Sequence, residues 1–87
     1  MKGYLYILQN EKGSFYVGSS KDLSRRLQEH LDGKTKSTRH AQKWKLVFSQ
    51  EYEDLKIARQ VEYKLKQFKS RKIIGAIVKD QKILINI

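Results

Sequence analysis

Tyr4-Leu5-Tyr6-Ile7-Leu8-Gln9-Asn10-Glu11-Lys12-Gly13-Ser14-Phe15-Tyr16-Val17-Gly18 holds two runs of aromatic and aliphatic residues separated by a polar stretch that ends in glycine. This pattern predicts two antiparallel strands joined by a tight turn. With Glu11, Lys12 and Gly13 as a three-residue loop and Gly13 at its left-handed position, Asn10 pairs with Ser14. That register puts Tyr6 and Tyr16 on one face. Taken singly, Tyr4, Tyr6 and Tyr16 read first as ordinary strand aromatics packed under a helix.

Beyond the hairpin, Ser19-Ser20-Lys21-Asp22 offers side-chain oxygens to free helix amides. Leu23, Leu27 and Leu31 follow at a spacing of four before Gly33, predicting a first amphipathic helix. The segment 33–43 is polar and basic without a clear period and reads as a connection that contacts phosphate. In 44–49, Trp44, Leu46 and Phe48 alternate, which predicts a third strand with these three on one face. Asp54 opens a second helix whose stripe is Ile57, Ala58, Val61, Leu65 and Phe68, and Ile73, Ile74 and Ile77 predict a shorter third helix. The expected order is β-β-α-β-α-α, an α+β arrangement. The apolar run Ile83 to Ile87 is expected to dock on the core or on another protomer.

The chain of 87 residues leaves room for one small domain, expected to span 1–87, with no second domain or large cofactor cradle. It has no cysteine, which excludes disulfides and cysteine nucleophiles and suits a reducing compartment. No apolar stretch approaches the roughly 18 residues that span a bilayer, so a soluble cytoplasmic protein is expected. The formal charge of +10 is unevenly placed: 19–45 holds 8 bases and 3 acids, 64–82 holds 7 and 1, and 46–63 holds 2 and 4. Two basic blocks point to a polyanion, nucleic acid before an acidic membrane surface. Lys21, Arg25, Lys34, Lys36, Arg39, Lys43, Lys69, Arg71 and Lys72 are the expected phosphate-contacting bases.

Helical periodicity selects candidates for chemistry. On the first helix Arg25 points away from the leucine stripe, whereas Arg26 and His30, four apart, share its border. On the second, Glu62 lies about 100° from a stripe centred near Val61, again at a border. It is followed by seventeen residues with bases and no acid. Glu62 suits either an i,i+4 ion pair with Lys66, worth about 0.3–0.5 kcal/mol, or a divalent cation, since Mg²⁺ takes one or two carboxylates and completes its shell with water and phosphate oxygen. Arg26 suits solvent or the charge developing on a pentavalent phosphorus. His30 suits a backbone carbonyl partner, or a neutral imidazole that accepts a proton or orients a tyrosine.

Tyr4-Leu5-Tyr6, Tyr16-Val17-Gly18, Arg26 with His30, and Glu62 within Val61-Glu62-Tyr63-Lys64-Leu65-Lys66 together resemble the GIY-YIG nuclease family over nearly the whole chain. The chain is most similar to the small stand-alone bacterial group, related to phage homing endonucleases, the incising subunit of nucleotide excision repair, and junction-cutting nucleases. The resemblance implies a three-stranded antiparallel sheet flanked by helices, with the tyrosines, arginine, histidine and glutamate converging on one cleft. It further implies Tyr6 as general base or orienter of the attacking water, Tyr16 assisting, and Arg26 on the scissile phosphate. Glu62 would hold a single Mg²⁺ or Mn²⁺, and Gly18 would keep the cleft clear of a side chain. Tyr4 stands where the motif has glycine. No residue here matches the asparagine that many members place after the glutamate, Asn86 lying too far along.

The function expected is metal-dependent endonuclease hydrolysis of DNA, structure-directed or weakly sequence-specific, on a nick, flap, branch or single strand, with RNA also open. The alternative is a nucleic-acid-binding module on the same scaffold with little or no activity. A third reading is an interaction adaptor built on the 83–87 tail.

Overall fold

The computed structural model describes residues 1–31, 44–68, 71–81 and 83, with the backbone alone for 30 and 31. Three strands and three helices follow in the order β1 (Gly3–Gln9), β2 (Phe15–Ser20), α1 (Leu23–Leu31), β3 (Lys45–Tyr52), α2 (Leu55–Phe68) and α3 (Arg71–Asp80). The β-β-α-β-α-α order is as expected. The Gly33–Lys43 connection and residues 84–87 lie outside the described residues.

Local chemistry sets the hairpin. The Gly13 amide donates to the Asn10 carbonyl at 3.0 Å and the Asn10 amide to the Ser14 carbonyl at 3.1 Å, while the Asn10 side-chain oxygen accepts from the Lys12 and Ser14 amides at 3.0 and 2.9 Å. Gly13 has φ +85°, the left-handed conformation the loop requires. The resulting ladder opposes Leu8 to Tyr16 and Tyr6 to Gly18, so Tyr6 and Tyr16 do share a face.

β3 pairs antiparallel with the free side of β1, giving sheet order β2-β1-β3. β1 is therefore central and buried on both faces, from Leu5 through Leu8. On one face Leu5, Ile7, Val17 and Phe48 pack against Val61 and Leu65 of α2 and Ile77 of α3, with Ile73, Ile74, Val78 and Ile83 closing the margin. Each such fully buried side chain is worth about 1.5–3 kcal/mol. Ile83, at the head of the apolar tail, thus docks on the core. Among the described residues no helix is long and apolar enough to cross a membrane.

Two expectations are corrected. Ile7 opposes Phe48 but Leu8 opposes Leu46, so Val47 is an extra, bulged residue. The bulge reverses the alternation: Phe48 joins the core, Leu46 turns to the other face and is 40% exposed, and Trp44 precedes the strand. On α2 the buried residues are Ala58, Val61 and Leu65, whereas Ile57 and Phe68 are 42% and 45% exposed. At 100° per residue the buried three fill an arc of about 60° on the Glu62 side of Val61. The helix is rolled so that Glu62 turns inward and Ile57 outward.

This packing predicts that Leu65→Ala costs about 2–5 kcal/mol while Phe68→Ala costs less than half as much. Urea unfolding of the two variants followed by circular dichroism measures the contrast.

Candidate active site

Asp22 starts α1: its Oδ1 accepts from the Arg25 amide at 3.0 Å and its carbonyl from the Arg26 amide at 3.1 Å. The Asp22 amide in turn donates to Ser20 Oγ at 3.1 Å. This cap fixes the helix phase, so Arg26 faces the sheet with its side chain 37% exposed while Arg25 points outward at 75%. Glu29 holds both, 3.5 Å from Arg25 Nε and 3.4 Å from Arg26 Nη1. The Arg26 guanidinium also hydrogen-bonds the Tyr6 hydroxyl, and this contact holds the guanidinium in its charged form.

Tyr6 is 1% exposed, and its ring lies across the ladder directly over Gly18. A Cβ on Gly18 would stand 2.5 Å from both Cζ and the hydroxyl oxygen of Tyr6. Gly18 is therefore the space the Tyr6 phenol occupies, a more specific role than leaving the cleft clear. Tyr16 meets Tyr6 edge-to-face at 6.4 Å between centroids, and Trp44 meets Tyr16 at 6.3 Å. Burial raises the Tyr6 pKa above its ordinary value of 10.0; Arg26 opposes this, while Tyr16 and Glu62 add to it. The phenol is accordingly neutral near pH 7.

β2 is the edge strand, which lets α2 reach around it. Ser19, on the α2 face of β2, donates its hydroxyl to Glu62 Oε1. Lys66 Nζ lies 2.7 Å from Glu62 Oε2 and 5.8 Å from the centre of the Tyr16 ring, which faces the other way. Lys66 thus joins the two faces at the sheet edge. Arg26, Tyr6, Tyr16, Lys66, Glu62 and Ser19 form one continuous run of contacts. The i,i+4 pair foreseen for Glu62 is present.

The other candidates lie as follows. Tyr4 sits outside this cluster; its hydroxyl donates to Glu51 on β3 at 3.1 Å, and Glu51 raises its pKa. Lys21 and Arg25 line a cavity beside Ser19 and Arg26. Arg71 stacks 5.7 Å from the Phe15 ring centre and lines a groove with Tyr16 and Lys66. Lys72 is exposed on α3. Lys34, Lys36, Arg39, Lys43, Lys69 and the His30 side chain lie outside the described residues. Glu29 had no expected role, Ser19 was expected only to offer its oxygen to helix amides, and Lys66 only to pair with Glu62. Continuing the strand alternation past Gly18 would have flagged Ser19, since it falls on the face that α2 covers.

Among the described residues no three His, Cys, Asp or Glu side chains group together, so a closed protein cage is not available from them. One carboxylate with a hydroxyl beside it is a donor set that suits a divalent cation held mainly by non-protein oxygens.

The profile of the GIY-YIG catalytic domain matches residues 2–73. The chain is 36% identical over 73 residues to the UPF0213 protein BH0048 of Halalkalibacterium halodurans, covering 83% of this chain and 78% of that one. It is 39% identical over 79 residues to the UPF0213 protein PC1_0597 of Pectobacterium carotovorum, covering 90% and 79%. The solution NMR structure of the UPF0213 protein BH0048 from Bacillus halodurans superimposes with a TM-score of 0.59 and 32% identity, over 93% of this chain and 87% of that one.

Two measurements test the Tyr6 environment. Gly18→Ala must displace the Tyr6 ring and lowers stability by about 1–3 kcal/mol, read by thermal unfolding. Because the folded phenol titrates above its unfolded value of about 10, the unfolded chain binds fewer protons there, and stability falls as pH rises through that range. Tyr6→Phe removes one of the upward-shifted phenols from a tyrosinate absorbance titration and flattens this alkaline loss.

Proposed function

The chain belongs to the GIY-YIG family, and from that membership and the cleft chemistry we propose a metal-dependent endonuclease that hydrolyses phosphodiester bonds in DNA. The observation that carries this reading is the unbroken run from Arg26 through Tyr6 and Tyr16 to Glu62. It combines a fixed cation, an oriented phenol and a carboxylate in a strongly basic chain, a set able to bind a phosphodiester, orient a water and hold a cation. GIY-YIG nucleases act on nucleic acids. Bare duplex readout is poor for so small a surface, so branched, nicked or single-stranded DNA is the favoured substrate class, with RNA as the competitor.

In this reading Arg26 donates to a non-bridging oxygen of the scissile phosphate and offsets the charge gathering on phosphorus. Tyr6, kept neutral by burial, orients the attacking water rather than deprotonating it as a phenolate. Tyr16 holds the Tyr6 ring by its edge contact and borders the water. Glu62, with the Ser19 hydroxyl beside it, would hold Mg²⁺ or Mn²⁺, which supplies a Lewis acid for the phosphate and leaving oxygens. Lys66, on a flexible stem 52% exposed, is within reach of both the carboxylate and an incoming phosphate. From the family resemblance, His30 would serve as a proton carrier or tyrosine orienter. A cytoplasmic DNA-repair role and self-association through the 83–87 tail belong to the same proposal.

One observation favours the alternative, a binding module with little activity: both Glu62 oxygens are engaged, one by Ser19 and one by Lys66. The two readings separate in a nuclease assay at low salt with a metal titration over branched, nicked, duplex and single-stranded DNA and RNA. Endonuclease activity is expected to need Mg²⁺ or Mn²⁺, to fall about 10²–10³-fold in Arg26→Ala, and to vanish in Glu62→Gln or with EDTA while binding persists. Salt-dependent binding with no cleavage under any condition selects the module.

A further inference from the structure

A second concave, cationic surface lies between the start of α1 and the first turns of α2. It is a cavity of about 490 Å³ whose polar lining includes Ser19, Ser20, Lys21, Arg25, Arg26 and Arg59. Its two acids are already committed. Asp22 caps α1 through the Arg25 amide, and Glu29 is shared by Arg25 and Arg26. Arg59 is different: among the described residues it has no hydrogen-bond or ion-pair partner. It is an exposed guanidinium at the rim of a cavity that already carries a surplus of positive charge.

The position of Arg59 on α2 gives that charge a direction. Arg59, Glu62 and Lys66 stand at i, i+3 and i+7, on one face of the helix. With a rise of 1.5 Å per residue, Arg59 lies about 4.5 Å before Glu62 along the axis and Lys66 about 6 Å after it. Ser19 lines the cavity and donates its hydroxyl to Glu62, so one residue is shared by the cavity and the carboxylate. A nucleic-acid strand whose scissile phosphate sits at Glu62 must send its backbone past one or both of these cations.

We propose that this cavity is a subsite for a neighbouring, uncut phosphodiester of the same strand, with Arg59 as its principal cation and Arg25 and Lys21 on its outer wall. The guanidinium fork donates to two phosphate oxygens at once, which positions the strand without reading its sequence. This rests on the proposed nuclease reading for which phosphate is cut, but its binding part is independent of cleavage.

The test uses the full chain in a Glu62→Gln background, so the nucleic acid stays intact, and fluorescence anisotropy of a labelled DNA oligonucleotide across a salt series. Arg59→Gln is expected to weaken binding to every sequence and to reduce the slope of log K against log[salt] by about 0.7 for a single strand or about 0.9 for a duplex. Lys79→Gln on α3, outside the cavity, is expected to leave the slope unchanged. A scan of single neutral methylphosphonates along the strand should find one position where the parent loses affinity and Arg59→Gln loses nothing more. An unchanged slope in Arg59→Gln, an equal fall in Lys79→Gln, or additive losses at every position overturns the subsite. Arg59-dependent binding by a wild-type chain that never cleaves overturns the nuclease reading and keeps the subsite. Cleavage with Arg59-independent binding does the reverse, and absence of binding overturns both.

Discussion

The phenol of Tyr6 occupies its place because Gly18, directly opposite on the neighbouring strand, carries no side chain. Glycine in a strand weakens it by about 0.5–1 kcal/mol, and here that loss is offset by seating a buried aromatic ring across the ladder. The rest of the cleft is built outward from the ring. Its edge meets Tyr16, its hydroxyl meets Arg26, and Arg26 is aimed by the Asp22 cap and steadied by Glu29. A change at Gly18 therefore reaches α1 through one ring.

Electrostatically, the Glu62 carboxylate sits in a chain of formal charge +10. Lys66 offsets the charge of Glu62 and the Ser19 hydroxyl satisfies its other oxygen. The surplus of bases elsewhere gives the chain a positive field that reaches about a Debye length, near 8 Å at physiological salt. The neutral state of Tyr6 follows from the same balance. Desolvation of the ring outweighs the single guanidinium that would favour its anion.

Features governed by neighbours in the chain were legible in advance. Asn10 and Gly13 impose a three-residue loop by their own hydrogen bonds and dihedral, and the loop dictates the shared face of Tyr6 and Tyr16. Asp22 and Asp54 open helices because their oxygens reach amides two or three residues on. Features governed by distant partners were not. The extra residue at Val47 reverses a strand alternation that reads as regular, because a bulge is decided by pairing with β1. The roll of α2 exposes Ile57 and Phe68 although both are apolar, because burial depends on which arc meets the sheet.

For the site the division is the same. Sequence alone sufficed for the two tyrosines, the inward Arg26, the border position of Glu62 and the basic character of the surface, since register, helical phase and charge are local or additive properties. Tertiary structure decided that β2 lies at the sheet edge and that α2 rolls Glu62 toward Ser19. These depend on the packing of segments more than forty residues apart, where contacts of comparable energy compete and only the folded chain selects among them.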